Sequence, residues 1–202
     1  SCAAGRMRRP GGRNKEEMKM KIAVVCANGK AGRLIVKEAM GRGLDVTAVV
    51  RGENHSGAPK AICKDLFDLE AADLVGFDVV IDAFGAWTDE TYPLHSSTLK
   101  HLCDILSGTE TRLLVVGGAG SLYVNPEHTV QVADGPDFPD VFKPLAAAMA
   151  KALTELRERR DVKWTYISPA GDFQAEGERT GSYILGGGEL TSNSRAGSVI
   201  SY

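Results

Sequence analysis

Short apolar runs recur along the chain at Ile22 to Val25, Val46 to Val50, Asp78 to Ala83, Arg112 to Val116 and Trp164 to Ile167. Several are rich in β-branched residues and show little alternation, which is the pattern of parallel strands buried on both faces. Ala61 to Lys64 is a shorter and weaker strand candidate. Between these runs the spacing turns helical. Leu34, Ile35, Val36, Ala39 and Met40 form one apolar face that stops at Gly41 and Gly43, as at a helix C-terminus. Leu94, Leu99, Leu102, Ile105 and Leu106 form another within Thr91 to Ser107. Pro144 suits the first turn of an Ala-rich helix running to about Arg160, and Asp68 to Leu74 predicts a short crossover helix. The alternation predicts an α/β fold: a doubly wound, mostly parallel sheet with right-handed crossovers and a ligand crevice at the strand C-terminal ends.

Two segments stand outside that alternation. A polar, proline-bearing loop from about Tyr123 to Pro139 is long enough to suggest function. The tail from Ser182 to Tyr202 holds Tyr183-Ile-Leu and Ser198-Val-Ile-Ser, short β-like runs expected to form a small C-terminal cap on the substrate side. At 202 residues the chain suits one domain, spanning residues 21 to 202. Ser1 to Met20 carries six Lys or Arg against two Glu and lacks apolar periodicity, so it reads as a disordered basic extension or an expression remnant. The rest holds 18 positive and 24 negative side chains. A mildly acidic body argues against a nucleic-acid partner, and no apolar run approaches a membrane span, so a cytoplasmic location is expected. Cys2, Cys26, Cys63 and Cys103 are widely separated and are expected to be free thiols rather than zinc ligands or disulfides.

The most specific local signal begins at Ile22, where an apolar run breaks into Cys26-Ala-Asn-Gly-Lys-Ala-Gly32 and then enters a helix. A pyrophosphate can lie against a helix N-terminus only where the backbone comes close and its free N–H groups point at the oxygens. Gly29 and Gly32 supply that closeness, so Ala27, Asn28, Gly29, Lys30, Ala31 and Gly32 are candidate dinucleotide ligands on a Rossmann sheet. Cys26 stands where a Gly-x-x-Gly-x-x-Gly turn has its first glycine, and an ordinary strand-to-helix turn is the alternative. Arg51 follows the second strand, where an acidic residue would bond a ribose 2′-hydroxyl. An arginine there can pair with a 2′-phosphate, which favours NADP(H) over NAD(H), although a solvated loop arginine reads the same. Arg33 has the same two readings.

Taken in order, Cys-Ala-Asn-Gly-Lys-Ala-Gly-Arg at 26 to 33, Val-Val-Arg at 49 to 51, Asp65-Leu66, Asp82-Ala-Phe-Gly, Val115-Val-Gly-Gly-Ala-Gly-Ser121-Leu-Tyr and Ile167-Ser-Pro-Ala170 resemble the atypical short-chain dehydrogenase/reductase group. Within it the similarity is to the NmrA-like proteins and the NADH-flavin reductase-like proteins. The resemblance covers about residues 20 to 202 and implies an NAD(P)-binding Rossmann domain that lacks the family's C-terminal helix. It implies that Asp65 and Leu66 sit beside the adenine, though Asp65 could equally cap a helix. It also places Ala83, Phe84 and Gly85 on the ribose and nicotinamide side, with Gly117, Gly118, Ser168, Pro169 and Ala170 lining the cofactor. By the same resemblance Ser121 would bond the acceptor and Lys151 would contact the nicotinamide ribose.

One departure bears on the chemistry. The tyrosine expected four residues before Lys151 is Ala147, so no phenol stands there to protonate a developing alkoxide. Flavin reduction asks less of the protein, because orientation can supply much of the rate. The expected activity is therefore hydride transfer from NADPH to a flavin or a similar conjugated small-molecule acceptor. The alternative is a non-catalytic NAD(P)-sensing protein of the NmrA type that binds a regulator protein. Tyr123 could supply a proton or pack. His95, His101, His55 and His128 lack metal-ligand spacing, so no metal is expected.

Overall fold

Lys21 to Val25 forms the first strand, β1, and its neighbours fix the plan of the molecule. It pairs in parallel with β2 (Asp45–Val50) on one side and with β4 (Val79–Asp82) on the other, Ile22 lying opposite both Val46 and Val79. β3 (Lys60–Cys63), β5 (Arg112–Val116) and β6 (Lys163–Ile167) complete a six-stranded parallel sheet in the order β3-β2-β1-β4-β5-β6. The structure is a computed structural model that describes residues 19–174, 176–193 and 197–201. The expected doubly wound α/β fold is therefore observed, with every strand of the main sheet parallel. Most of the basic extension proposed at Ser1 to Met20 lies outside the described residues.

The apolar runs alternate between two cores, as a pleated strand requires. Ile22, Val24, Val46, Ala48 and Val50 pack against Val36 and Ala39 of α1 (Lys30–Gly41). Ala23, Val25, Val49, Val80, Leu113 and Val115 face the opposite layer, made by α2 (Leu94–Leu106), α3 (Lys143–Glu158) and the leucines Leu66, Leu69 and Leu74. Arg159 ties the far ends of this second layer together, bonding Asp104 at 2.6 Å and Asp161 at 2.7 Å. On the α1 side the cover stops short, and Thr165 and Ile167 of β6 stay exposed.

Helix boundaries follow the local chemistry. α1 ends as expected at Gly41, and Gly43 adopts φ +75°, its N–H returning to the carbonyl of Met40. α2 starts at Leu94 rather than Thr91, because the hydroxyls of Thr88 and Thr91 bond each other and the backbone, holding a turn before Pro93. Two expectations need correcting. Asp68 to Leu74 is not one crossover helix but the end of one 3-10 turn and the whole of another, Leu66–Asp68 and Ala71–Leu74. Asp65 caps the first turn and Asp73 accepts the Glu70 N–H at 2.8 Å, so side-chain caps interrupt the backbone ladder a helix would need. Tyr183-Ile-Leu is not a strand either. Those residues are exposed, and among the described residues no strand pairs with them. The small second sheet instead pairs β8 (Val199–Ser201) in parallel with β7 (Asp172–Gln174), a polar segment whose composition carries no strand signal.

Candidate functional site

Parallel strands end on one edge, and that edge gathers nearly every residue singled out in the sequence. The turn after β1 and the first turn of α1 hold Ala27 to Gly32, Arg51 follows β2, Asp65 and Leu66 follow β3, Ala83 to Gly85 follow β4, Gly117 to Ser121 follow β5, and Ser168 to Ala170 follow β6. Lys151 is not brought to this group through its side chain. It lies on the solvent face of α3, 71% exposed, with its ammonium 3.8 Å from Glu155.

The β1 turn has the geometry a phosphate needs. Gly32 packs so tightly under the turn that a Cβ there would stand 2.6 Å from the Cys26 carbonyl and 2.8 Å from Ala27, whereas at Gly29 it would meet the same carbonyl at 3.3 Å. No side chain caps α1. The N–H groups of Lys30, Ala31 and Gly32 open the helix and have no carbonyl of their own ladder to bond. Cys26 takes φ +57°, the left-handed conformation for which glycine is the usual residue. Burial and then the nearby Asp82 push its thiol up to about 12, so it stays protonated.

Asn28 binds the turn to the next loop. Its side-chain amide donates to the Glu53 carbonyl at 2.8 Å and accepts from the His55 N–H at 2.7 Å. Within that loop Asn54 and Ser56 bond each other and Ala58, so the short link from β2 to β3 is ordered without a helix. Arg51 opens this loop and is exposed, as are Lys30 and Arg33. Asp65 uses one carboxylate oxygen to cap its 3-10 turn, and the Leu66 side chain is buried in the core.

Across β4, β5 and β6 the edge changes character. A cavity of about 20 Å³ lies between the strand ends and the helices, lined by Asp82, Phe84, His95, Val115, Met149 and Tyr166 among others. That is room for one water. Asp82 accepts the Phe84 N–H at 3.0 Å, and burial pushes its carboxyl up to about 6. His95 bonds the Ala86 carbonyl at 3.3 Å and meets Phe84 edge to face. Burial lowers its pKa, which favours the neutral ring. The Tyr166 hydroxyl accepts the Gly118 N–H at 3.4 Å, and burial raises its pKa. Gly117 is dictated by that ring: a Cβ would fall 2.1 Å from it. Ser121 is buried at the end of the turn Ala119–Ser121.

Asp82 and Tyr166 were not among the sequence candidates for chemistry. A carboxylate closing the otherwise apolar run Val79 to Asp82 was the available signal for the first. Tyr166 sits in a strand whose pattern gave no such signal. Ala147 is exposed on α3. The loop after Ser121 is closed by the tail: Tyr123 stacks on His128 at 4.5 Å, His128 bonds Glu189 at 3.0 Å, and the Tyr123 N–H reaches the Gly188 carbonyl. His101 bonds the Leu69 carbonyl. Among the described residues no group of three or more His, Cys, Asp or Glu is placed to hold a metal ion, and no helix is long and apolar enough to cross a membrane.

A parallel sheet in this order, with a glycine turn delivering an uncapped helix N-terminus to its C-terminal edge, defines a dinucleotide-binding α/β protein. The sequence matches the NAD(P)H-binding family model over residues 26–200, and the chain belongs to that family. It is similar to YwnB of Bacillus subtilis, a protein of uncharacterised function, with 41% identity over 186 residues covering 91% of this chain and 87% of that one. Among solved structures it resembles a "putative NADH-flavin reductase" from Streptococcus pneumoniae, with 54% identity, TM-score 0.88, and 90% and 87% of the two chains covered. The fold alone is shared with a short-chain dehydrogenase/reductase superfamily protein of Agrobacterium tumefaciens solved with bound NAD, at 17% identity and TM-score 0.56 over 76% and 50% of the chains.

Proposed function

We propose that this protein is an NAD(P)H-dependent oxidoreductase that passes hydride from NADPH to a flavin or a similar conjugated acceptor. The observation that carries the reading is the pairing, on one sheet edge, of an anion-ready helix N-terminus with a cavity lined by Asp82, His95 and Tyr166. The cradle fits a pyrophosphate: Gly32 tolerates no Cβ, and the first N–H groups of α1 are unspent. Bound reduced nicotinamide would supply the two electrons and the hydrogen as hydride, and one proton from solvent completes the dihydroflavin.

The residues of this chain bind and orient. Lys30, Ala31 and Gly32 receive the pyrophosphate through backbone N–H groups. Arg51, with Arg33 in reserve, pairs with the 2′-phosphate, which makes NADPH the preferred donor. Asn28 fixes the loop that carries Arg51, since both polar ends of its amide are already bonded within the protein. Ala83 to Gly85 face the nicotinamide side. Ser121 offers its hydroxyl to the acceptor, while the Lys151 ammonium is assigned no part in its observed position. The name of the Streptococcus pneumoniae relative supports the same acceptor class.

Steady-state NADPH oxidation with FMN, riboflavin and a panel of quinones tests the reading, and turnover with at least one of them is expected. No turnover with any acceptor would sink it. The exposed Ala147, in place of a proton-donating tyrosine, favours the second reading of a cofactor-sensing protein that engages a regulator protein. Such a sensor would separate NADP+ from NADPH in affinity and leave the nicotinamide absorbance unchanged with time.

A further inference from the structure

The segment that follows β4 ends in an indole that the packing does not account for. Trp87 is 68% exposed, yet the chain that carries it is held at successive positions. The Ala83 N–H bonds the Val25 carbonyl at 3.2 Å, the Phe84 N–H bonds Asp82 at 3.0 Å, and His95 bonds the Ala86 carbonyl at 3.3 Å. The Tyr92 hydroxyl reaches the Trp87 carbonyl at 3.5 Å, and Thr91 accepts from the Thr88 N–H at 3.2 Å. Gly85 gives the ring its seat: the indole Nε1 lies 3.4 Å from where a Cβ would stand, with Cε2 and Cζ2 at 3.7 Å. Scattered apolar side chains are common on protein surfaces and carry no meaning singly. What sets this one apart is an anchored backbone, a glycine seat, and a place directly beyond the Ala83–Gly85 segment at the C-terminal edge of the sheet.

We propose that Trp87 is a stacking platform for the acceptor, and that the acceptor is accordingly a planar, electron-poor fused heteroaromatic of the isoalloxazine type. This rests on the oxidoreductase reading above and adds to it a specificity residue and a ring class. The indole is electron-rich and has few torsions to freeze, so a flat ring laid on it gains area and favourable stacking at little entropic cost. A saturated aldehyde or ketone would gain almost nothing from such a surface. Trp87 acts by binding and takes no proton or electron in the net reaction.

The test uses riboflavin with the full chain, without and then with NADPH. Flavin fluorescence is lost when the ring touches an electron-rich indole, so bound riboflavin is expected to be dark in the wild type. Trp87→Ala is expected to weaken riboflavin binding in equilibrium dialysis and to raise its KM roughly three- to tenfold, with NADPH affinity and kcat within about twofold. Trp87→Phe keeps a flat ring but is a poor electron donor. It should bind riboflavin within about twofold of the wild type while leaving much of the bound flavin fluorescent. Unchanged riboflavin affinity in Trp87→Ala, full quenching in Trp87→Phe, or no riboflavin binding by the wild type would each overturn the platform. Dialysis and quenching need no turnover. Binding and quenching through Trp87 without NADPH oxidation would therefore remove the reductase reading and leave the platform standing, whereas turnover indifferent to Trp87→Ala would do the reverse.

Discussion

The edge of the sheet is built in two different ways. At β1, β2 and β3 the groups offered to a ligand are backbone N–H donors and solvated cations, with α1 covering the sheet immediately behind them. At β4, β5 and β6 they are side chains around one small cavity: a buried carboxyl, a buried imidazole and a partly buried phenol. The first half resembles a socket, whose shape depends on the absence of atoms at Gly32. The second half carries ionisable groups whose charge is costly because they are dry. A dinucleotide needs the same diphosphate held in every enzyme that uses it, so a backbone socket suffices there. In the proposed function the nicotinamide lies at the other end, where surrounding side chains would set reactivity.

If the first half is a socket defined by excluded volume, Gly32→Ala should be far more damaging than a methyl added elsewhere in the same turn. Its Cβ would meet backbone atoms at 2.6 and 2.8 Å, and backbone cannot rotate away. A loss of about 3 kcal/mol in urea unfolding and of measurable NADPH binding is expected. Gly29→Ala, at 3.3 Å from a single carbonyl, should cost much less. Similar losses for the two would show that the turn is not shaped by that approach.

The second half should respond in the opposite direction. Burial raises the Asp82 carboxyl from its ordinary value near 4 to about 6, so ionising it opposes folding at neutral pH. The protein loses stability on this account as pH rises from about 4 to about 6, and the loss is constant above that. Asp82→Asn should therefore stabilise the fold by up to about 3 kcal/mol at pH 8, with the gain shrinking towards zero below pH 4. Asn can still accept the Phe84 N–H, so the loop itself is kept. Thermal melts across pH check this, and a gain that persists at pH 4 would mean that packing rather than charge is responsible.

Specificity separates the halves again. Arg51→Ala is expected to weaken NADPH binding about tenfold while leaving NADH within about twofold, as read by nicotinamide fluorescence. Equal losses would remove the assigned 2′-phosphate contact. The smallest effect expected is from Asn28→Ala, which deletes two hydrogen bonds between turn and loop for about 1 kcal/mol of stability. Its more telling readout is trypsin cleavage after Arg51, which should speed up as the loop is released. An unchanged cleavage rate would mean that Asn54 and Ser56 order the loop by themselves.

Much of this architecture was legible in the chain. The apolar runs, their helical separators and the glycine turn predicted the parallel sheet, and the residues named for the cofactor fall on its C-terminal edge because parallel strands all end there. The failures were local and have physical causes. Carboxylate caps at Asp65 and Asp73 broke a predicted helix into two 3-10 turns, and Asp172–Gln174 became a strand only because Val199–Ser201 lay alongside it. Lys151 sits at the expected position in sequence, but its side chain turns to Glu155.

By itself, then, the sequence determined the order of the main-sheet strands and long helices and the glycine turn after β1, because these follow from periodicity and from glycine, which act within a few residues of one another. Only the tertiary structure decided the second half of the site. Asp82, His95 and Tyr166 come from β4, α2 and β6, and only packing brings these elements around one cavity. In each case burial is the leading cause of the shifted charge state, and no local pattern records it.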